Sequence, residues 1–204
     1  MTDRSITPGT PIAGLALVGG HRCLDFINTL AGADKTSPKD SLLTPADYRT
    51  WAKRVAIPVD PPAGAAHEVA ALRRARELRG AILAVALAAV AGQPAPADAA
   101  EHLTDAAARS FRSRRLTPQP GGLSWTRTRQ DLDSVTDLLA VEAAALFADT
   151  AHLLLRRCVG EHCGWFFLDT SRNKLRRWCS MSDCGNRAKA RRHRAKQREA
   201  DVSP

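Results

Sequence analysis

The stretch CVGEHCGWFFLDTSRNKLRRWCSMSDCGNRAKARRHRAKQR, residues 158–198, decides how this chain is read. Cys158 and Cys163 form one close pair, Cys179 and Cys184 a second, and 15 residues separate the two. That is the layout of a structural zinc site, in which each pair supplies two ligands from a tight turn and the segment between them closes a tetrahedral cage. Four thiolates leave no position for water, so a catalytic metal is excluded. Gly164 and Gly185 each follow a cysteine and free the backbone where it turns around sulfur. Two disulfides, a redox thiol switch and chance clustering are the competing readings. Nothing in the sequence points to export, and Cys23 makes the thiol count odd, so a reducing, cytoplasmic setting favours one zinc ion. With a fourth cysteine present, His162 and His193 are read as exposed or phosphate-facing rather than as ligands. Between the pairs, Trp165–Leu168 reads as a strand, 169–173 as a turn, and Leu175–Trp178 as the returning strand of a short hairpin.

Beyond the second pair, Asn186 to about Arg198 contains no large apolar residue and reads as a solvated helix about 20 Å long. Arg187, Arg191, Arg194 and Arg198 fall in one sector of it, with Lys189, Arg192 and Lys196 on the opposite side. Arg172, Lys174, Arg176 and Arg177 add a second basic edge on the hairpin. The net charge of +9 is concentrated here: residues 156–204 hold 13 Lys and Arg against 5 Asp and Glu (net +8), and residues 1–155 hold 17 against 16 (net +1). Zinc with four thiolates contributes −2, which leaves the module at about +6. A basic module joined to a neutral domain implies a polyanionic partner. A plain solvated charged face is the bland alternative.

The rest of the chain reads as mainly α. The 44% hydrophobic and 25% charged composition is that of a globular protein, and the longest apolar run, Ala81–Ala91, is too short to span a membrane. No secretory signal is expected from the first twenty residues. Leu24, Ile27 and Leu30 predict a short helix. Thr44 caps a second, with Pro45 in its first turn and Asp47 at the position where Glu or Gln would complete a capping box, and it runs to about Ile57 with Tyr48, Trp51 and Val55 facing inward. A long helix spans 65–91 on a stripe of Val69, Leu72, Leu78, Ile82 and Val85, its apolar second half central to the core. Another covers 97–111. Residues 116–125 read as a small hairpin, weakened by two prolines. A last helix, capped by Asp133 or Ser134, is expected to continue to about Arg157 and lead directly into the basic module. The fold class is therefore mainly α: a helical domain over 12–155, and a four-cysteine zinc finger with a short hairpin and a basic helix over 156–200.

Residues 158–173 together with Arg-Arg-Trp178-Cys179 and Cys184-Gly185-Asn186-Arg187 resemble the CGNR zinc finger, which is named for those last four residues. Gly19-Gly20, Cys23-Leu-Asp-Phe-Ile-Asn-Thr29 and the Trp51 helix resemble the ABATE domain that precedes such fingers. The resemblance covers nearly the whole chain and implies a stress-induced transcription regulator, with zinc on Cys158, Cys163, Cys179 and Cys184 and with Arg187 and its helix neighbours at DNA. The function expected is thus a zinc-dependent regulator gripping double-stranded DNA. In it Lys189, Arg191, Arg194 and Arg198 neutralise phosphates, while Asn186 and Arg187 read base edges. One finger reads few base pairs, so a homodimer is expected to supply specificity. The alternatives are an RNA- or ribosome-associated finger and an enzyme or ligand-binding N-terminal domain. For the last, His21 and Asp25 would share a helix face, but no second acid–base pair or cofactor fingerprint accompanies them, so no catalysis is expected.

Overall fold

The structure is a computed structural model describing residues 11–31, 39–62, 64–149, 154–161 and 163–202. In chain order its elements are α1 (Arg22–Ile27), β1 (Leu30–Ala31), β2 (Lys39–Asp40), α2 (Pro45–Arg54), α3 (Ala65–Val90), α4 (Ala97–Arg112), β3 (Arg114–Gln119), β4 (Gly122–Arg127), α5 (Leu132–Ala148), β5 (Leu155–Arg157), β6 (Phe166–Leu168) and α6 (Asn186–Val202). The strands form three separate antiparallel pairs, β1–β2, β3–β4 and β5–β6. Among the described residues no helix is long and apolar enough to cross a membrane.

Helices α3, α4 and α5 pack on one another, and α1 lies against α3, α5 and β6. Thr44 caps α2 as expected, and Asp47 closes a capping box in the place where Glu or Gln is usual. That helix turns Tyr48 and Trp51 toward Phe26 of α1, with ring centroids 5.1–6.1 Å apart. Arg79, 4% exposed, reaches Thr29 Oγ1 at 2.8 Å and both Asp40 oxygens at 2.7 and 2.5 Å, which ties α3 to the β1–β2 pair.

Several boundaries differ from the sequence reading. The cap of α5 is Asp131, which accepts from Ser134 N–H, because Asp133 is taken by a bidentate pair with Arg74 at 2.8 and 2.7 Å. The helix ends at Ala148 rather than near Arg157, since residues 155–157 are drawn into a ladder with β6. In α3, Val69 is 61% exposed. The inward position of that first turn belongs to Glu68, clamped by Arg49 at 2.7 Å. Leu87 and Val90 are partly exposed, so the end of α3 is at the edge of the core, not its centre. The 114–127 hairpin tolerates Pro118 because a two-stranded ladder gives each strand a free edge. Leu153, which the longer helix would turn inward, and His162 lie outside the described residues.

The finger's hairpin is also wired differently. Strand β6 pairs backward with β5 (Leu155↔Leu168, Arg157↔Phe166), and residues 175–178 form no ladder. Pairing with β5 seats Phe166 and Phe167 on the helical domain, where they are buried with Leu155 and Trp165 in one continuous core. Asn28, just past α1, fixes this seat. Its Nδ2 donates to Phe166 O at 2.9 Å, and its Oδ1 accepts from Phe166 N–H at 2.8 Å. Farther back along the chain, Gly19 O accepts from Leu168 N–H at 2.9 Å. Replacing Asn28 by Ala would leave a buried donor and a buried acceptor of Phe166 unpaired. Asn28→Ala is expected to cost about 3 kcal/mol in urea unfolding of the zinc-loaded chain, more than a surface Asn→Ala control changes it.

Candidate metal centre and nucleic-acid interface

All four finger cysteines are buried, and their sulfurs lie within 4.8 Å of one another. Cys163 Sγ is 3.5 Å from Cys179 Sγ, which is 3.7 Å from Cys184 Sγ. A tetrahedron of sulfurs each ~2.3 Å from zinc has edges of about 3.8 Å, whereas a disulfide needs ~2.05 Å. The four thiols are free of disulfides, and the donor set fits one zinc ion. The thiol hydrogen bond from Cys163 drives Cys158 far below its ordinary value, and the same bond pushes Cys163 up, as the bond to Cys158 does for Cys179. Although the bond to Cys158 opposes it, Cys184 is also held below its ordinary value by its bonds to Cys163 and Cys179, so the four thiols share protons through one network; a dication at the centre would let all four ionise.

The backbone is shaped around the sulfurs. Gly164 has φ +62°, the left-handed conformation that its place after Cys163 suggests. Gly185 lies against Met181, where a Cβ would meet Sδ at 2.5 Å. Gly160, which sequence reasoning passed over, is as confined: a Cβ there would stand 3.2 Å from both Cys184 Sγ and Cys163 Cβ. Its N–H points at Cys158 Sγ, 3.4 Å away, and Arg187 Nη2 donates to Cys184 Sγ at 3.2 Å. These contacts orient the ligands from outside the cage.

The twelve predicted nucleic-acid residues separate into distinct settings. Arg176 is half-buried and braces the finger, donating to Trp178 O at 2.9 Å and to Cys179 O, with its guanidinium 4.3 Å from the Phe167 ring centroid. Arg172, Lys174 and Arg177 are exposed on the 170–178 loop; Lys174 Nζ reaches Asp169 O at 3.3 Å, and Arg177 lies over the Trp178 ring. Helix α6 is exposed nearly throughout and leaves the finger after its first turns. At its base Asn186 donates to Ser182 O at 3.0 Å, Arg187 pairs with Asp183 at 2.7 Å, and Arg191 pairs with Glu161 at 2.7 Å. Lys189, Arg192, Arg194, Lys196 and Arg198 are exposed, as is His193, and those five cations make no ion pair among the described residues.

Beneath the finger, Asp25 Oδ1 accepts from Gly19 N–H at 2.8 Å, inside a loop so tight that a Cβ on Gly19 would meet Leu24 Cβ at 2.8 Å. Burial pushes the Asp25 carboxyl up to about 6, against the pull of backbone N–H groups of Gly19 and Val18. The Gly19–Asn28 segment is thus a socket for β6. Sequence reasoning marked these residues as family motif and short helix but had no signal for their contact with a strand 138 residues away.

A family model for ABATE, described as "Putative stress-induced transcription regulator", matches residues 20–155. The chain belongs to the ABATE family. A second model, the CGNR zinc finger, matches residues 155–197 of this ABATE protein, taking in all four cage cysteines and most of α6. A search of the curated proteins finds no match.

Two outcomes are expected. Metal analysis of the purified chain should return about one zinc per chain. Stripping it with a chelator should raise amide exchange across 158–163 and 179–185 at least ~10-fold while β5, β6 and α3–α5 stay protected by the shared core. Separately, the side-chain carboxyl of Asp25 should titrate in carbon NMR with a midpoint near 6. Because the folded value is raised above the unfolded one, the charged form strains the fold: the stability linked to Asp25 is full below about pH 4 and is lost as pH rises through 6. Asp25→Asn should remove that portion of the pH dependence.

Proposed function

We propose that this ABATE–CGNR chain is a zinc-dependent DNA-binding regulator of transcription in the cytoplasm, acting in a stress response, that grips duplex DNA through α6. The observation carrying this reading is the set of Lys189, Arg192, Arg194, Lys196 and Arg198 on an exposed helix whose base is tied to the zinc cage. Exposed cations that make no ion pair among the described residues are poised to replace the counterions of a phosphate backbone. The cage, with Arg187 and Arg191 paired to Asp183 and Glu161, sets the angle at which the helix leaves the finger.

Asn186 and Arg187 are the base-edge readers in this reading. Arg187 keeps half its side chain exposed while Asp183 buttresses the guanidinium, so less freedom is lost when its fork meets a guanine edge. A second copy of the chain supplies a second half-site. Duplex DNA is favoured over single-stranded RNA because Trp165, Phe166 and Phe167 are buried in the core and unavailable for stacking on bases. The reading assigns no catalysis to the N-terminal domain. His21 Nδ1 lies 3.1 Å from Cys23 Sγ, but burial drives that thiol well above its ordinary value, with Glu142 and Asp25 adding to the effect. A buried thiol held in its protonated form packs as a small apolar side chain.

Titration of a mixed-sequence duplex at several salt concentrations tests the proposal. With about five phosphates neutralised by α6, log K should fall against log[salt] with a slope of about −4.5 or steeper, and the triple change Lys189→Gln, Arg192→Gln, Lys196→Gln should make it shallower by about 2.7. A salt-independent affinity in the unaltered chain would refute the reading.

A further inference from the structure

A single exposed leucine on a protein surface is ordinary. The 169–181 loop shows something more. Leu175 is 72% exposed and Met181 50% exposed, and the two flank one shallow cleft that Trp178 also lines. The loop that carries Leu175 is held firmly. Asp169, fully buried, accepts from Ser171 N–H at 3.0 Å, Ser171 Oγ at 2.5 Å and Arg176 N–H at 2.9 Å. Lys174 takes the left-handed conformation, φ +54°, and Asn173 Oδ1 accepts from Leu175 N–H at 3.3 Å. Arg176, pinned beneath by Trp178 O, Cys179 O and the Phe167 ring, joins the loop to the cage. So rigid a mount leaves the Leu175 side chain standing out from the zinc module.

The exposed charges of the loop itself are all positive. Arg172, Lys174 and Arg177 are exposed around this tip, and the only carboxylate from 169 to 178 is the buried Asp169. An apolar partner protein would bring these cations against its own surface without compensation, whereas a phosphate backbone compensates them while its stacked bases offer apolar faces. We propose that Leu175, backed by Met181, is a wedge that inserts between base pairs in the minor groove of duplex DNA and kinks it, with Arg172, Lys174 and Arg177 on the flanking phosphates. This rests on the DNA reading of α6 and adds a second, shape-dependent element to it. Wedges of this kind favour pyrimidine–purine steps, which unstack most easily, so the loop would contribute sequence preference with few base-edge hydrogen bonds.

The test uses the full zinc-loaded chain and a mixed-sequence duplex of about 20 bp carrying a fluorescence donor and acceptor at its ends, spanning ~3.4 Å per base pair. Binding of the unaltered chain should shorten the end-to-end distance. Leu175→Ala should abolish the shortening and weaken binding about tenfold, while the slope of log K against log[salt] stays unchanged, because no cation is removed. Leu175→Phe should retain the kink. Zinc content and thermal unfolding of each variant check that the exposed substitution leaves the fold intact. Salt-dependent binding by the unaltered chain with no change in end-to-end distance, or equal bending by Leu175→Ala, overturns the wedge and leaves α6 as the DNA element. Absence of any binding by the unaltered chain overturns the DNA reading itself, and the wedge with it.

Discussion

The fold depends on a pair of hydrogen bonds made by one side chain. Asn28 gives its amide N–H to the carbonyl of Phe166 and takes the N–H of the same residue, in the way a neighbouring strand would. Strand β6 has β5 on one edge, and this amide satisfies its other edge where the finger meets the helical domain. A three-residue strand cannot leave buried backbone groups unpaired without a cost of roughly 1–3 kcal/mol each. The clamp therefore permits Phe166 and Phe167 to sit in a common core with α1. Asn28 in turn is placed by α1, whose entry is set by the Gly19–Asp25 loop. The order of dependence runs from a buried carboxylate to a glycine turn, to one amide, to the strand that precedes the second cysteine pair.

That arrangement changes what the metal has to do. A finger with no core of its own folds only around zinc. Here Trp165, Phe166 and Phe167 are buried against the helical domain, so β5 and β6 have support besides the metal. Zinc is left with the more local task of closing 158–163 onto 179–184, the segment from which α6 departs. The first turn of α6 touches the ligands directly through Arg187 and Cys184. The state of the cage is thereby coupled to the direction of the helix.

What the sequence disclosed follows the range of the interactions. The cysteine spacing, the Thr44–Asp47 capping box and the exposed α6 depend on contacts within a few residues, and each was legible. The finger hairpin was misread because Leu175–Trp178 has strand-like residues but β6 had a competing partner upstream, in a segment whose apolar pattern also suits a helix. The same ambiguity extended α5 past Ala148. Val69 looked like a core position because helical spacing cannot show that Arg49, from a different helix, places Glu68 inward at that turn. Gly160 gave no sign, since its constraint exists only once the cage closes and brings Cys184 Sγ, 24 positions later, beside Cys163 Cβ and Cys158 Sγ.

The arginines carry this point into function. In sequence, Arg187, Arg191, Arg194 and Arg198 form one stripe, and a helical wheel treats them as equivalent. In the structure the first two meet Asp183 and Glu161 and the last two do not. Charge that is already paired contributes little to releasing counterions from a polyanion, because one partner is exchanged for another. It contributes instead to direction, since an ion pair at the base of a projecting helix restricts the angles the helix can take. The thirteen cations of residues 156–204 are therefore not thirteen equal contributions to affinity. Some hold the cage and the loop in place, and those farther along α6, which make no ion pair among the described residues, are left to meet a ligand. A basic tail with the same composition and no cage would have the charge without the attitude.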